Sequence, residues 1–315
     1  MTFAAPAADR KNAGIGGLRV GVIGLGAMGM GVARSLLRKG FEVHACDVRE
    51  AARQSIAGDG AIAHATPAEL AARVDALIVL VVNAAQTETV LFGEHGAAAA
   101  LKPGSTVLAS STVAPEFAEK LNERLSAMQL RHLDAPVSGG AVRAASGEMT
   151  IMASGAPETF ATVEDVLAAI ATKVYRLGDA PGMGSKVKMI NQLLAGVHIA
   201  AATEAMALGI RAGIEPNALY EVISNSAGAS WMFQNRVPHI LAGDYKPLSA
   251  VNIFVKDLGI VLDSARQLTF PLPLTSAAHQ MYLATSASGL GGEDDSAVIK
   301  MFQKLTGIEL PAKKD

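Results

Sequence analysis

The sequence predicts an α/β fold: an N-terminal doubly wound parallel sheet followed by an all-α C-terminal domain, the two joined by a long helix. Two observations predict the first half. Short runs rich in β-branched residues alternate with segments of helical spacing, and a glycine-rich turn follows the first run. The second half is predicted by a third observation, because the strand signal stops after Gly178 and apolar residues then recur every three or four positions.

The predicted strands are apolar runs bounded by Gly, Pro, Asn or Ser. Nearly continuous runs of this kind are typical of strands buried on both faces of a parallel sheet. Between the first two runs, Met28, Val32 and Leu36 recur every fourth residue, which predicts a helix and completes a β-α-β unit. Three later runs are expected to extend the sheet, with some antiparallel pairing. The first runs are Val20–Ile23, Glu42–Cys46, Ala76–Val82 and Thr106–Ala109, and the later ones are Arg131–Asp134, Met149–Ala153 and Val174–Leu177.

A single long helix is predicted over Ser185–Arg211, because apolar residues are spaced by three or four from Ile190 to Leu208. At 1.5 Å per residue it would be ~40 Å long. Further helices are predicted from Pro216 and over Ser249–Leu268, Leu272–Ser286 and Asp295–Leu305. The expected division is a flexible leader at 1–17, a nucleotide-binding domain at 18–180, a helical substrate and oligomerisation domain at 181–310, and a tail at 311–315.

Composition excludes several classes of function. The chain has 27 Lys and Arg against 29 Asp and Glu, so it lacks the concentrated positive charge that a nucleic-acid partner requires. Its longest strongly apolar run, Ala76–Val82, is far shorter than the ~20 residues of a membrane span, which argues against a membrane partner. The lone cysteine, Cys46, cannot form an internal disulfide, which favours a cytoplasmic location. The seven His are scattered, so no metal site is expected.

The strongest functional signal is Gly24-Leu25-Gly26-Ala27-Met28-Gly29, between the first predicted strand and its helix. Its first glycine permits a tight turn, the second lets a pyrophosphate approach the backbone, and the third allows close packing. Asp47 ends the second predicted strand, 23 residues after the first glycine, where a carboxylate can accept both ribose hydroxyls. The context predicts a dinucleotide site. Asp47 favours NAD, whereas Arg49 could attract the 2′-phosphate of NADP.

Two further segments could carry chemistry. Ser138-Gly139-Gly140 follows a predicted strand, and its hydroxyl and backbone N–H groups could hold a carboxylate, although an ordinary strand-to-helix turn has the same composition. Lys188 and Asn191 are three residues apart on one face of the long helix, close to the junction of the two halves. A lysine beside an oxidised nicotinamide would have a lowered pKa, which suits it to proton transfer.

These segments together resemble the β-hydroxyacid dehydrogenase family from about Leu18 to Gly307. The resemblance implies a Rossmann-type N-terminal domain, NAD or NADP as cofactor, and a homodimer or homotetramer formed through the helical domain. It also implies that Ser138-Gly139-Gly140 holds the substrate carboxylate. In the pattern Gly-x-Gly-x-x-x-Lys-x-x-Asn, Lys188 matches the catalytic lysine and Asn191 the asparagine that orients substrate. Thr112 and Lys256 match residues that lie near the nicotinamide and close over the cofactor.

Two departures bear on the substrate. Gln192 stands where 3-hydroxyisobutyrate dehydrogenases tend to have a second Asn, whereas tartronate semialdehyde reductases look closer there. Val82-Asn83 stands where many members have Leu-Pro, beside the nicotinamide. The expected activity is reversible hydride transfer between NAD(P) and a small 3-hydroxy acid, as in 2-hydroxy-3-oxopropionate (tartronate semialdehyde) reductase or 3-hydroxyisobutyrate dehydrogenase. The alternative substrate is a four-carbon sugar acid, because two segments look similar to L-threonate-type dehydrogenases: Asn191–Glu204 and Ser230-Trp231-Met232.

Other activities are less well supported. Oxidative decarboxylation of the 6-phosphogluconate dehydrogenase kind would place a histidine at the position of Ile190. Imine reductases usually lack the lysine at 188, so its presence argues against that reaction. A catalytically idle NAD-sensing or scaffold protein would not need the combination of Lys188, Asn191 and Ser138.

Overall fold

The computed structural model describes residues 17–312 as a six-stranded sheet with helices, a smaller sheet beside it, and a helical second half. The predicted leader lies outside the described residues except for Gly17, and so do residues 313–315 of the predicted tail. The fold class predicted from the sequence is confirmed.

The main sheet is entirely parallel, with the strand order β3-β2-β1-β4-β5-β6. The order reverses between β1 and β4, so a crevice opens at the carboxyl ends of these two strands, where ligands bind in such sheets. Ile23 pairs with both Cys46 and Val79, which places the ends of the three central strands at one edge. The strands are β1 Arg19–Ile23, β2 Glu42–Cys46, β3 Ile62–His64, β4 Ala76–Val79, β5 Thr106–Ala109 and β6 Arg131–Asp134.

Both faces of the main sheet are covered by hydrophobic cores. Val20 and Val22 pack on one side with Leu36 of the first helix, whereas Leu77 and Val107 pack on the other. This alternation is why the strand sequences read as continuous apolar runs. The helices of this half are α1 Ala27–Arg38, α2 Glu50–Gly58, α3 Pro67–Ala71, α4 Ala84–Phe92, α5 Pro115–Ala127, α6 Gly140–Ser146, α7 Pro157–Thr162 and α8 Glu164–Ile170.

The prediction that all three later runs extend the main sheet is wrong for two of them. A separate three-stranded sheet is formed by β7 Val137–Ser138, β8 Met149–Ala153 and β9 Ala171–Arg176, in that order. At the end of β6, Asp134 forms an isolated antiparallel bridge with Ser154, the residue after β8, so the small sheet adjoins this edge of the main sheet. The expected antiparallel pairing occurs between β7 and β8, whereas β8 and β9 are parallel.

The second half is helical and is organised around one long helix, α9, Met183–Arg211. Phe254 and Leu258 pack against α9 at Gly196. A Cβ at this position would lie only 2.9 Å from the side chain of each, so only glycine allows this contact. One helix was not predicted, α11, because Pro238 lies inside it and interrupts the pattern. The other helices are α10 Pro216–Ser224, α11 Trp231–Ala242, α12 Val251–Gln267, α13 Pro273–Thr285 and α14 Ile299–Thr306.

The helix α9 is apolar on two opposite sides. By length and composition it is the one helix in residues 17–312 that could cross a membrane, and 44% of its most apolar window is buried inside the fold. Its inner side packs on α11, α12 and α13. The residues on the other side are exposed by 38–69%, and we call them the outer face of α9: Met183, Val187, Ile190, Leu194 and Leu208.

Candidate active site

The glycine turn after β1 is built for close backbone contact. Gly24 has φ +94°, and a Cβ there would lie 2.5 Å from the carbonyl oxygen of Leu80. A Cβ on Gly29 would collide with the carbonyl oxygen of Gly24. By contrast, a Cβ on Gly26 would meet nothing within 4 Å, and no side chain caps the N-terminus of α1. The bare helix end at the sheet crevice therefore fits the pyrophosphate of a dinucleotide.

Asp47 follows β2 directly and faces this turn. Its Oδ2 accepts a hydrogen bond from the backbone N–H of Leu25 at 2.7 Å, and its Oδ1 accepts from the backbone N–H of Arg49 at 2.8 Å. Burial tends to raise the pKa of Asp47, but the hydrogen bonds from Arg49 and Leu25 outweigh it and hold the pKa below its usual value. A carboxylate fixed in its ionised form beside the turn suits the ribose hydroxyls of NAD.

Two arginines lie close to Asp47, one on its carboxylate and one on its backbone carbonyl. Arg49 Nε donates to Asp47 Oδ1 at 3.1 Å, and its Nη2 donates to the carbonyl of Leu25 at 2.8 Å. Arg53, which the sequence reasoning missed, donates to the carbonyl of Asp47 at 2.6 Å. These two guanidinium groups could pair with the 2′-phosphate of NADP, so the site is compatible with NADP as well as with NAD.

The loop after β4 carries the unusual Val82-Asn83 pair at the same edge of the sheet. Asn83 caps α4, because its Oδ1 accepts a hydrogen bond from the backbone N–H of Gln86 at 2.8 Å. The Gln86 side chain accepts in return from the backbone N–H of Val82, also at 2.8 Å. This reciprocal arrangement fixes the loop, and asparagine is a favoured residue for such a cap.

The predicted carboxylate loop lies between β7 and α6. Ser138 ends β7 and pairs with Thr150, and the two glycines that follow have φ +131° and +71°. A Cβ on Gly140 would meet nothing within 4 Å, so the backbone is open on that side. The stem of Arg143 lies against Gly139. This geometry is compatible with a small anion, and the role of the loop stays a prediction.

Asp134, at the end of β6, joins the sheet to the start of α9. Its Oδ2 accepts from the backbone N–H groups of Gly182 at 2.9 Å and Ser185 at 2.8 Å, and its Oδ1 accepts from the Ser185 hydroxyl at 2.7 Å. Ser154 Oγ donates to the same carboxylate at 3.2 Å. Burial raises the pKa of Asp134, whereas these donors oppose the rise. A buried acid from the sheet thus caps the helix that carries Lys188.

Lys188 is buried one turn into α9, with 7% of its surface exposed. Burial lowers its pKa to about 8, Asp257 acts in the opposite direction, and Lys256 lowers it further. A lysine with this pKa exchanges a proton readily near neutral pH, which is what general acid–base catalysis requires.

The environment of Lys188 is a chain of hydrogen bonds that crosses from α9 to α12. Lys188 Nζ and Asn191 Nδ2 both donate to Gln192 Oε1, at 2.7 Å and 3.0 Å. Gln192 Nε2 donates to Asp257 Oδ2 at 2.5 Å. The Asp257 Oδ1 accepts from Lys256 Nζ at 2.5 Å, and Lys256 Nζ also donates at 3.1 Å to the carbonyl of Thr112, in the loop after β5.

The structure therefore groups the predicted residues into two connected sets. One set is the glycine turn with Asp47 and Arg49. The other is the Lys188 network, which includes Asn191, Gln192, Lys256 and Thr112. Within residues 17–312, no side-chain hydrogen bond joins Ser138 to either set, and no group of His, Cys, Asp or Glu is placed to hold a metal ion.

Asp257 was missed as a functional residue although a signal for it exists. Phe254, Leu258 and Val261 form the buried stripe of α12, and Asp257 lies on the same stripe with 1% of its surface exposed. An acid on an apolar stripe needs a partner, because burying an unpaired charge is costly. The sequence could therefore have pointed to Asp257.

Comparisons with known proteins give a consistent picture. Residues 19–178 match the family described as the NAD-binding domain of 6-phosphogluconate dehydrogenase, and residues 182–302 match the one described as NAD-binding of NADP-dependent 3-hydroxyisobutyrate dehydrogenase. The chain is 67% identical to an L-threonate dehydrogenase of Cupriavidus necator, over 94% of this chain and 99% of that one. An L-threonate dehydrogenase of Escherichia coli K12 is 54% identical, over 94% and 97%.

A solved structure is similar to most of this chain. The crystal structure of a 3-hydroxyisobutyrate dehydrogenase from Salmonella typhimurium superposes with a TM-score of 0.87 at 54% identity, covering 90% of this chain and all of that one.

Proposed function

Because the chain belongs to the β-hydroxyacid dehydrogenase family and is an NAD(P)-dependent dehydrogenase of small hydroxy acids, we propose that its substrate is L-threonate or a closely similar four-carbon sugar acid. The identity to curated L-threonate dehydrogenases over nearly the whole chain carries this proposal. It favours the alternative drawn from the sequence over the reductase or 3-hydroxyisobutyrate activity that was the first expectation.

We infer that the glycine turn Gly24–Gly29 holds the pyrophosphate of the cofactor at the N-terminus of α1. Asp47 and Arg49 would contact the adenosine ribose, since both lie beside Leu25. Val82, Asn83 and Thr112 follow β4 and β5 at the same edge and would line the nicotinamide end, with Lys256 across from them. The cofactor held there would supply the acceptor for the hydride that leaves the carbinol carbon of the substrate.

The residues of this chain would supply binding, orientation and proton transfer. Ser138, Gly139 and Gly140 offer a hydroxyl and backbone N–H groups for the substrate carboxylate. Asn191 would orient the reacting hydroxyl, and Lys188 Nζ would take its proton during oxidation and return it during reduction. General acid–base help of this kind contributes roughly 10²–10⁴-fold to the rate.

The first experiment is a substrate screen. Absorbance at 340 nm would follow NAD or NADP reduction with L-threonate, glycerate and 3-hydroxyisobutyrate, and the oxidation of NADH with tartronate semialdehyde. We expect L-threonate to give the highest kcat/KM, with NMR of the product identifying the oxidised carbon. A higher kcat/KM for 3-hydroxyisobutyrate or tartronate semialdehyde would overturn the substrate assignment, and cofactor binding without any turnover would favour a sensor.

The second experiment tests Lys188. Lys188→Ala should lower kcat by roughly 10²-fold or more, because the proton acceptor is lost, while NAD affinity measured by fluorescence titration stays the same. Lys186→Ala is the matched control, since Lys186 lies two residues away in an exposed ion pair with Glu119. Equal turnover of Lys188→Ala and wild type would end the catalytic assignment.

We further propose that residues 181–310 act as the substrate and oligomerisation domain, and that a second copy of the chain covers the outer face of α9. Exposed apolar residues that line up on one face of a helix mark a surface that binds a partner. The inner side of α9 already packs within the fold and carries Lys188 and Gln192. Contact with another copy would remove the outer apolar side chains from water, which stabilises association by roughly 25 cal/mol per Å².

A further inference from the structure

We propose that Asp257 and Gln192 act together as positioning residues for Lys188: the carboxylate fixes the orientation of the amide, and the amide holds Nζ in place for the substrate hydroxyl. This inference rests on the proposed role of Lys188 as the proton-transfer group. Neither Asp257 nor Gln192 needs to touch the substrate for it to hold.

The orientation of the Gln192 amide follows from its contact with Asp257. An ionised carboxylate only accepts hydrogen bonds, so the group within 2.5 Å of Asp257 Oδ2 must be the amide nitrogen. The amide oxygen is then turned toward Lys188, where it accepts from Nζ at 2.7 Å. If the amide rotated by half a turn, two donors would face each other at Lys188 and two acceptors at Asp257.

Burial makes this arrangement stiff. Asp257, Gln192 and Lys188 are exposed by only 1%, 9% and 7%, so water competes little for their hydrogen bonds. Lys188 and Gln192 are four residues apart on α9, which places them on one face of the helix. Asp257 reaches them from α12, so the direction of the lysine head is set by two helices packed against each other.

Asp257 also carries a charge that Lys188 feels. The negative charge of Asp257 favours the ammonium form of Lys188, whereas the positive charge of Lys256 disfavours it. Other charged groups near this part of α9 have partners elsewhere. Asp134 binds Ser185 one turn earlier, and Lys186 pairs with Glu119 at the surface. Asp257 and Lys256 are thus the two charges on the described chain that bias the proton on Lys188.

The first test needs no substrate. The Lys188 side chain would be titrated by NMR in the NAD-free protein, with the signal assigned by its loss in Lys188→Arg. We expect Asp257→Asn to lower the pKa of Lys188 by about one unit and Lys256→Met to raise it by a similar amount. Opposite shifts of the Lys188 pKa in the two variants would show that the charges of Asp257 and Lys256 act on Nζ from fixed positions. A general loosening of the fold would instead shift the Lys188 pKa in the same direction in both variants. Unchanged titration in both variants would overturn the proposal.

The second test is a double-mutant cycle on kcat. Gln192→Met keeps the length of the side chain but removes both amide atoms, and we expect it to lower kcat by roughly ten- to a hundredfold with an unchanged KM for NAD. With kcat measured on its pH-independent plateau, where the charge effect on the pKa of Lys188 no longer matters, Asp257→Asn combined with Gln192→Met should be no slower than Gln192→Met alone, because the carboxylate positions Nζ through the amide. If the fold-losses in kcat of the two single variants multiplied in the double variant, Asp257 would not act through Gln192 and the proposal would be refuted.

Controls separate this inference from the substrate proposal. Asp263→Asn makes the same change on α12 at an exposed residue paired with Arg266, and it should leave titration and kcat unaltered. Circular dichroism would verify that each variant is folded. If Asp257→Asn were unfolded, the single variants Gln192→Met, by its kcat, and Lys256→Met, by the titration of Lys188, would still test the positioning role. Opposite pKa shifts in a protein that does not oxidise L-threonate would keep the positioning role and reject the substrate.

Discussion

Replacing Asp134 by Ala should loosen the start of α9, and the size of the effect can be worked out from the contacts. The carboxylate accepts from two backbone N–H groups, those of Gly182 and Ser185, and from the hydroxyls of Ser185 and Ser154. Its side chain is buried, with 1% of the residue exposed, so water would not replace it. Alanine would leave both backbone N–H groups without their acceptor.

The expected loss of stability is about 3 kcal/mol. Each buried donor left unpaired costs about 1–3 kcal/mol, and part of this is offset because the charged carboxylate no longer has to be buried. For a chain of this size, about 3 kcal/mol corresponds to a fall in Tm of roughly 4–5 °C. We also expect kcat to fall, because Lys188 lies three residues after Ser185 in the first turns of the same helix.

Differential scanning calorimetry would measure Tm for wild type, Asp134→Ala and the control Asp263→Ala. The control changes an exposed acid and should shift stability by no more than about 0.5 kcal/mol. The reasoning is refuted if Asp134→Ala melts within about 1 °C of wild type.

Three further predictions concern pH, cofactor and assembly. The kcat/KM for oxidation should rise with pH and level off above about 8, because Lys188 must lose its proton before it can accept one; a profile flat from about pH 6.5 to 9 would contradict this. Asp47→Ser should lower the KM for NADP by about tenfold relative to that for NAD, since Arg49 and Arg53 would then face the 2′-phosphate without a competing carboxylate; steady-state kinetics with both cofactors would show an unchanged ratio if the assignment were wrong. Leu194→Glu should reduce the mass measured by light scattering to that of a monomer, because a charge on the outer face of α9 opposes burial; an oligomer of unchanged mass would rule out this face.

Much of the fold could be predicted because its signals are local. The apolar runs of β1, β2, β4 and β5 and the spacing in α9 all reflect burial that a short window of sequence displays. Short or interrupted elements were missed for the same reason. β3 has three residues, none of them buried, and α11 contains Pro238. The small sheet could not be separated from the main one, because which strand pairs with which is decided by long-range contacts such as that of Asp134 with Ser154.

The candidate site was predictable where a motif holds neighbouring residues together. The glycine turn and the pair Lys188 and Asn191 were recognised from such motifs, and their roles stay predictions. Asp257 is 65 residues from its partner Gln192, so nothing local in the sequence indicates their contact. The same holds for Asp134, which caps a helix that begins about 50 residues later, and for Arg53, whose target is a backbone carbonyl. Side-chain partners across a fold are known only once the fold is known.

The fixed amide of Gln192 has a consequence for reversibility. Its oxygen accepts an N–H from Lys188 whether the lysine is an ammonium or a free amine, because both forms carry donors. If Lys188 transfers the proton as proposed, gaining or losing it therefore requires no change of hydrogen-bond partner at this contact. A site built in this way favours neither oxidation nor reduction by itself. The direction of flux would then follow the ratio of oxidised to reduced nicotinamide around the enzyme.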